Sequence, residues 1–123
     1  VSIDQLKVVI SALLDANPAI VVSEAGHNTH ANRYALANGA QLGWRRDLKT
    51  QQNLYVQLDR VSLHALADID HVVHEASFRK GDEPNADIFH RQAFSKDQDI
   101  VTFIIKDAWQ AARVLAEVAG LAA

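Results

Sequence analysis

Residues 28–43 read Asn-Thr-His-Ala-Asn-Arg-Tyr-Ala-Leu-Ala-Asn-Gly-Ala-Gln-Leu-Gly, and what they form decides how many strands the chain can contribute to a sheet. Asn28 or Thr29 has the chemistry of a helix N-cap, and Gly43 that of a helix terminator. The stretch therefore predicts a second helix ending at about Leu42. The Asn38-Gly39 pair works against its last turn, because glycine inside a helix costs about 1 kcal/mol relative to alanine.

Upstream, Ser2 and Gln5 stand at capping-box spacing, and Ile3, Leu6, Ile10, Leu13 and Leu14 trace a helical stripe. Asn17-Pro18 stops that helix, since a residue before proline avoids the helical region. Ala19–Val22 follows as a buried strand, ended by Glu24-Ala25-Gly26.

Downstream, Asn53–Leu58 alternates apolar Leu54, Val56 and Leu58 with Asn53, Tyr55 and Gln57, the pattern of a half-buried strand. Ser62 caps a predicted short helix through Leu63, Leu66 and Ile69, and His71–Phe78 reads as another strand. Residues 80–99, with Gly81, Pro84 and many acidic side chains, are the most loop-like part. Ile100–Ile105 is a strand, and Asp107 caps a closing helix whose stripe runs through Ala108, Ala111, Ala112, Leu115, Val118 and Ala119, with Trp109 at its margin.

The expected order is α-β-α-β-α-β-β-α: one α+β domain over residues 1–123, a mixed sheet of about four strands packed with three to four helices. A length of 123 residues suits one core, and 49% hydrophobic with 22% charged residues is a globular composition. The start at Val1 and the absence of methionine fit a domain excised from, or allied to, a larger protein. With no cysteine, disulfides, cysteine-bound zinc and thiol nucleophiles are excluded. No apolar run is long enough to span a bilayer and no leader pattern opens the chain, so the expected setting is cytoplasmic.

Residues 27–60 depart from the rest in charge. Arg33, Arg45, Arg46, Lys49 and Arg60 face only Asp47 and Asp59, a net +3, while the other residues hold seven basic against thirteen acidic, a net −6. A polyanion would meet one side of such a molecule. The stretch is also dense in carboxamides and contains Tyr34, Trp44 and Tyr55. Arginine pairs with guanine or phosphate, Asn and Gln pair with adenine, and flat rings stack on unpaired bases.

The leading expectation is a nucleic-acid-binding domain, a DNA-recognition accessory or specificity module of a larger DNA-processing or defence system. In it Arg45, Arg46 and Lys49 contact phosphate, Trp44 stacks, and Asn32, Arg33, Gln51 and Gln52 read bases. A competing reading makes Arg45-Arg46 an ordinary solvated turn and packs Trp44 back onto the core.

Two rivals come from other classes. Glu24, His27 and His30 repeat at intervals of three and could hold a divalent ion in a small metal-dependent hydrolase, with His71 or His74 assisting. Gly26 and the cap signals place Glu24 and His27 ahead of the expected helix, and His71 and His74, three apart in a strand, point to opposite faces. The sequence shows no HExxH, GxSxG, P-loop or GxGxxG pattern, so no catalytic residue and no cofactor is expected. The other rival is a non-catalytic interaction domain, whose apolar C-terminal helix leaves a homo-oligomer open.

Overall fold

The Asn38-Gly39 pair is the tip of a β-hairpin. In the computed structural model, which describes residues 2–23, 26, 27, 31–75 and 98–120, Asn32–Leu36 and Gln41–Trp44 are antiparallel strands in register Asn32↔Trp44 and Tyr34↔Leu42. The Gly39 amide donates to the Leu36 carbonyl, Leu36 pairs back to Ala40, and Gly39 sits at φ +91°. This is a three-residue hairpin loop closed by a residue of positive φ, a conformation that suits glycine. Asn38 completes the turn, its Oδ1 accepting from the Ala40 amide at 3.0 Å.

The helix expected over 28–42 is therefore wrong, for a physical reason. Tyr34, Leu36, Leu42 and Trp44 fall on one face and Arg33, Ala35, Gln41 and Gly43 on the other, a period of two around a turn-forming Asn-Gly. The cap candidates Asn28 and Thr29 lie outside the described residues.

With that hairpin the described sheet has six strands rather than four, and every pairing in it is antiparallel rather than mixed. They are β1 (Ile20–Val22), β2 (Asn32–Leu36), β3 (Gln41–Trp44), β4 (Gln52–Gln57), β5 (His71–His74) and β6 (Ile100–Ile105), in spatial order β1-β2-β3-β4-β6-β5. The expected strand to Phe78 is seen to His74; residues 76–78, like 80–97 of the predicted loop, lie outside the described residues.

Two α-helices are described instead of three or four: α1 (Ile3–Ala16) and α2 (Ala108–Val118). The helix expected after Ser62 is a run of turns following a single 3-10 turn at Leu58–Arg60. Ser62 Oγ does accept from the Ala65 amide, at 3.3 Å. What fixes this run is tertiary: Leu66 and Ile69 drop into the core, and the Arg113 guanidinium holds the Ala65 carbonyl and the Asp68 carboxylate. No long helical ladder is required.

Both helices begin as the sequence predicts. Ser2 and Gln5 form the reciprocal capping box, and Asp107 accepts from the Gln110 amide at 2.8 Å. Leu6, Ile10 and Leu14 of α1 and Ala111, Val114, Leu115 and Val118 of α2 pack on the sheet face formed by Leu36, Leu42, Leu54, Val56, Val101, Phe103 and Ile105. No helix among the described residues is long and apolar enough to cross a membrane.

The strands define two ends. At the near end β2 and β4 begin and β3 and β6 finish, since Gln52 pairs with Ile105 and Asn32 with Trp44. At the far end lie the Asn38-Gly39 turn, the Leu58–Arg60 turn and the start of β6. Helix α2 runs from near to far: it starts three residues beyond the end of β6, and its Val118 carbonyl accepts from Asn38 Nδ2 at 2.9 Å.

Candidate nucleic-acid interface

The near end is built on the β3–β4 connection, residues 45–51. Its shape is held from inside the protein. Trp44, on the core face at 4% exposure, donates its indole N–H to Gln52 Oε1 at 2.8 Å. Gln52 is fully buried and returns its amide to the Leu48 and Gln51 carbonyls at 3.0 and 2.8 Å. A carboxamide is well suited to this task, because it accepts from the ring while donating to the loop backbone. Trp44 and Gln52 therefore brace the loop from behind; in this conformation neither presents its polar or flat surface to solvent.

On the helix side of the sheet, Asn32 links two groups: its Oδ1 accepts from Arg46 Nη1, and its Nδ2 donates to the Tyr34 hydroxyl at 2.9 Å. On the other face, Arg33 is buried, and its guanidinium reaches the Gly26 carbonyl at 3.4 Å. Arg45 makes a bidentate pair with Asp47 at 2.6 and 2.9 Å, which offsets its charge locally. Burial raises the pKa of Tyr55, while hydrogen bonds to Asn53 and Arg45 pull the other way. Gln51 donates to Asn53 Oδ1 at 3.1 Å, and Lys49 is exposed at the loop tip.

The eight residues singled out from the sequence thus share one end of the sheet but not one groove. Asn32 and Arg46 are coupled on the helix side; Arg33, Arg45 and Gln51 serve the other face; Trp44 and Gln52 are interior; Lys49 stands at the tip. Of the five cations in residues 27–60, Arg33, Arg45, Arg46 and Lys49 gather here. Arg60 is the exception, at the far end, donating to the Asn38 carbonyl at 3.2 Å.

His27 reports the field these groups create. Its Nδ1 accepts from the Arg33 amide at 3.1 Å and its ring lies 5.1 Å from that of Tyr34. Partial burial of the ring lowers its pKa, and the positive charges of Arg46 and then Arg33 lower it further. Burial is thus the first cause of the lowering, and the two guanidiniums add to it in the same direction.

The metal alternative gains no geometry among the described residues, where no three His, Cys, Asp or Glu side chains come together. Glu24 and His30 lie outside the described residues. His71 Nδ1 meets the Ile69 carbonyl at 2.8 Å with its ring 5.8 Å from Phe103, whereas His74 Nε2 meets Thr102 Oγ1 at 3.1 Å on the opposite face.

One residue at the near end, expected at the margin of the closing helix's stripe, was given no functional role by the sequence. Trp109, in the first turn of α2, is 71% exposed. The sequence carried the signal: Trp109 falls outside the stripe of Ala111, Leu115 and Val118, and the Asp107 cap fixes that register. No family model, no curated protein and no solved structure matches this chain.

Proposed function

We propose that this chain is a nucleic-acid-binding domain, a DNA-recognition accessory or specificity module of a larger cytoplasmic system, and that it meets its ligand with the near end of the sheet. The observation that carries the reading is the gathering of Arg33, Arg45, Arg46 and Lys49 at that end, where Arg46 and Arg33 add to burial in lowering the pKa of His27. A polyanion gains from such a pole by releasing its condensed counterions, an effect that needs no particular sequence.

The groups divide by role. Lys49 and Arg46 are the phosphate contacts, Lys49 because it is exposed at the tip and Arg46 because Asn32 fixes its direction. Buried Arg33 contributes field rather than contact. Of the carboxamides, Gln51 on the loop is the candidate to meet a base edge, Asn32 orients Arg46, and Gln52 and Trp44 hold the loop.

The test is a titration of labelled duplex and single-stranded oligonucleotides at two salt concentrations. The reading expects affinity to fall steeply with salt, and the double variant Arg46→Ala/Lys49→Ala to flatten the log–log slope by about 1.4 to 1.8, the share of two phosphate contacts. Arg60→Ala, at the far end, leaves the slope unchanged. If neither form of nucleic acid binds even at low salt, the proposal is discarded.

A further inference from the structure

Trp109 is the largest exposed apolar side chain described, and its place in the fold gives that exposure a meaning. Single exposed apolar residues are ordinary on protein surfaces. This one sits at the near end, four residues past Ile105, whose strand partner Gln52 closes the loop carrying Arg46 and Lys49. Lys106, three residues before it, is exposed and paired with Asp70, which offsets its charge locally.

We infer that the ligand is a single strand and that the Trp109 indole is the platform on which one of its unpaired bases stacks. This rests on the nucleic-acid reading above and narrows it to a substrate class. The geometry is a line of strand ends. Arg46 stands over the start of β2 through Asn32, Lys49 lies in the β3–β4 loop, and Trp109 follows β6. From β2 to β6 there are three strand spacings, about 14 Å within the sheet, and Trp109 lies four residues further on, in the helix layer. A single strand of about 4 nucleotides covers that path.

Phosphate contacts at one side and a flat ring at the other are what such a strand uses, because every base has a π-face and an unpaired base leaves it open. In a duplex those faces are already stacked, and the exposed ring gains nothing from it. Trp44 cannot take this part, being enclosed in the core and hydrogen-bonded to Gln52. The two tryptophans therefore divide between bracing the loop and meeting the ligand.

The experiment titrates wild type, Trp109→Phe and Trp109→Ala with an oligothymidylate and an oligouridylate of about 12 nucleotides, and with a hairpin duplex. Binding is read by anisotropy of a label on the nucleic acid and by tryptophan fluorescence. Single strands should quench the wild-type emission, and Trp109→Phe should abolish the quench while keeping most of the affinity. Trp109→Ala should weaken single-strand binding about tenfold and leave duplex binding unchanged. A tighter complex with oligouridylate would name RNA as the source of the strand; the reverse would name DNA.

The thermal midpoint serves as the folding control, since a side chain this exposed contributes little to the core. Salt-dependent single-strand binding with no quench and no loss in Trp109→Ala overturns the stacking role and leaves the nucleic-acid reading standing. Duplex bound as tightly as single strand overturns the choice of class. No binding to any of the three sinks both.

Discussion

The two ends of the sheet are made by the same strands yet have opposite character. At the near end the β3–β4 loop carries Arg45, Arg46 and Lys49 and is braced from the interior by Trp44 and Gln52. At the far end Asp59 and Asp99 line a cavity of about 200 Å³ with Leu58 and Gln98, and the lone cation of residues 27–60 there, Arg60, is turned back onto the Asn38 carbonyl. The Asn38-Gly39 turn is held by local bonds and by its tie to α2. The near end thus holds Arg33, Arg45, Arg46 and Lys49 alongside Asp47, Asp70 and Asp107, whereas the far end holds Arg60 alongside Asp59 and Asp99. The difference teaches that strand interiors and strand ends answer to different constraints: the interior to a period of two, the ends to turn chemistry and buried polar bonds.

The sharpest way to break this comparison is Gln52→Ala. It deletes the buried acceptor of the Trp44 indole and two partly buried bonds to the loop backbone. A buried donor left unpaired costs about 1–3 kcal/mol, with the lost carbonyl bonds and the space vacated added to it. A loss of about 3 kcal/mol in denaturant unfolding is expected. Amide exchange should speed up across residues 45–51 while the far hairpin keeps its protection. Equal loosening of both ends would show that the loop is not a separately braced unit.

The matching change at the far end is Gly39→Ala. At φ +91° an alanine is strained, and its Cβ would stand 3.3 Å from Arg60 Nη2, the end of a flexible side chain that can move aside. The cost is about 1 kcal/mol, set by the backbone rather than the contact. Stability should fall by that amount with nucleic-acid affinity and salt slope unchanged. A drop in affinity would mean that the two ends are mechanically coupled through β2 and β3.

These two sites also show what could be read beforehand. The apolar interior was plain in Leu54 and Val56, in Ile100–Ile105 and in the stripes of α1 and α2, because burial imposes a period and each segment keeps it. The capping signals at Ser2 and Asp107 act within four residues and were equally open to view. The hairpin was misread because Ala, Leu, Gln and Asn suit helices as well as strands, and the cap-like Asn28 and Thr29 outweighed the stronger Asn38-Gly39 signal. The clustering of cations was readable in outline, since four of the five flank β2, β3 and their connection to β4. Which faces they occupy was not. Arg33 and Asn32 part company because strand neighbours alternate, and Trp44 turns inward with Tyr34 and Leu42. Trp109 was visible as an outlier of its helix, but only the pairing of β6 with β4 puts the strand that leads to it at the same end as the basic loop.

The finest probe of the comparison is His27. Its folded pKa is lowered first by partial burial, then by Arg46 and Arg33, and its Nδ1 accepts from the Arg33 amide. Protonation would add a third positive charge and remove that acceptor. In the unfolded chain the imidazole titrates near its ordinary value of about 6.5. Below that pH the unfolded chain takes up the proton more readily than the folded one. The stability this residue contributes is therefore present above pH of about 6.5 and lost as pH falls through the lowered folded value. Arg46→Ala removes the charge with the larger effect on His27, so the His27 pKa, followed by NMR, should rise toward the ordinary value and the acid-side loss should shrink. Bound oligonucleotide should push it the same way, since phosphate offsets the field of the guanidiniums. Arg60→Ala, at the far end, should leave it where it is. If Arg46→Ala does not move the His27 titration, the positive pole is not concentrated where the strand ends place it, and the contrast between the two ends loses its electrostatic half.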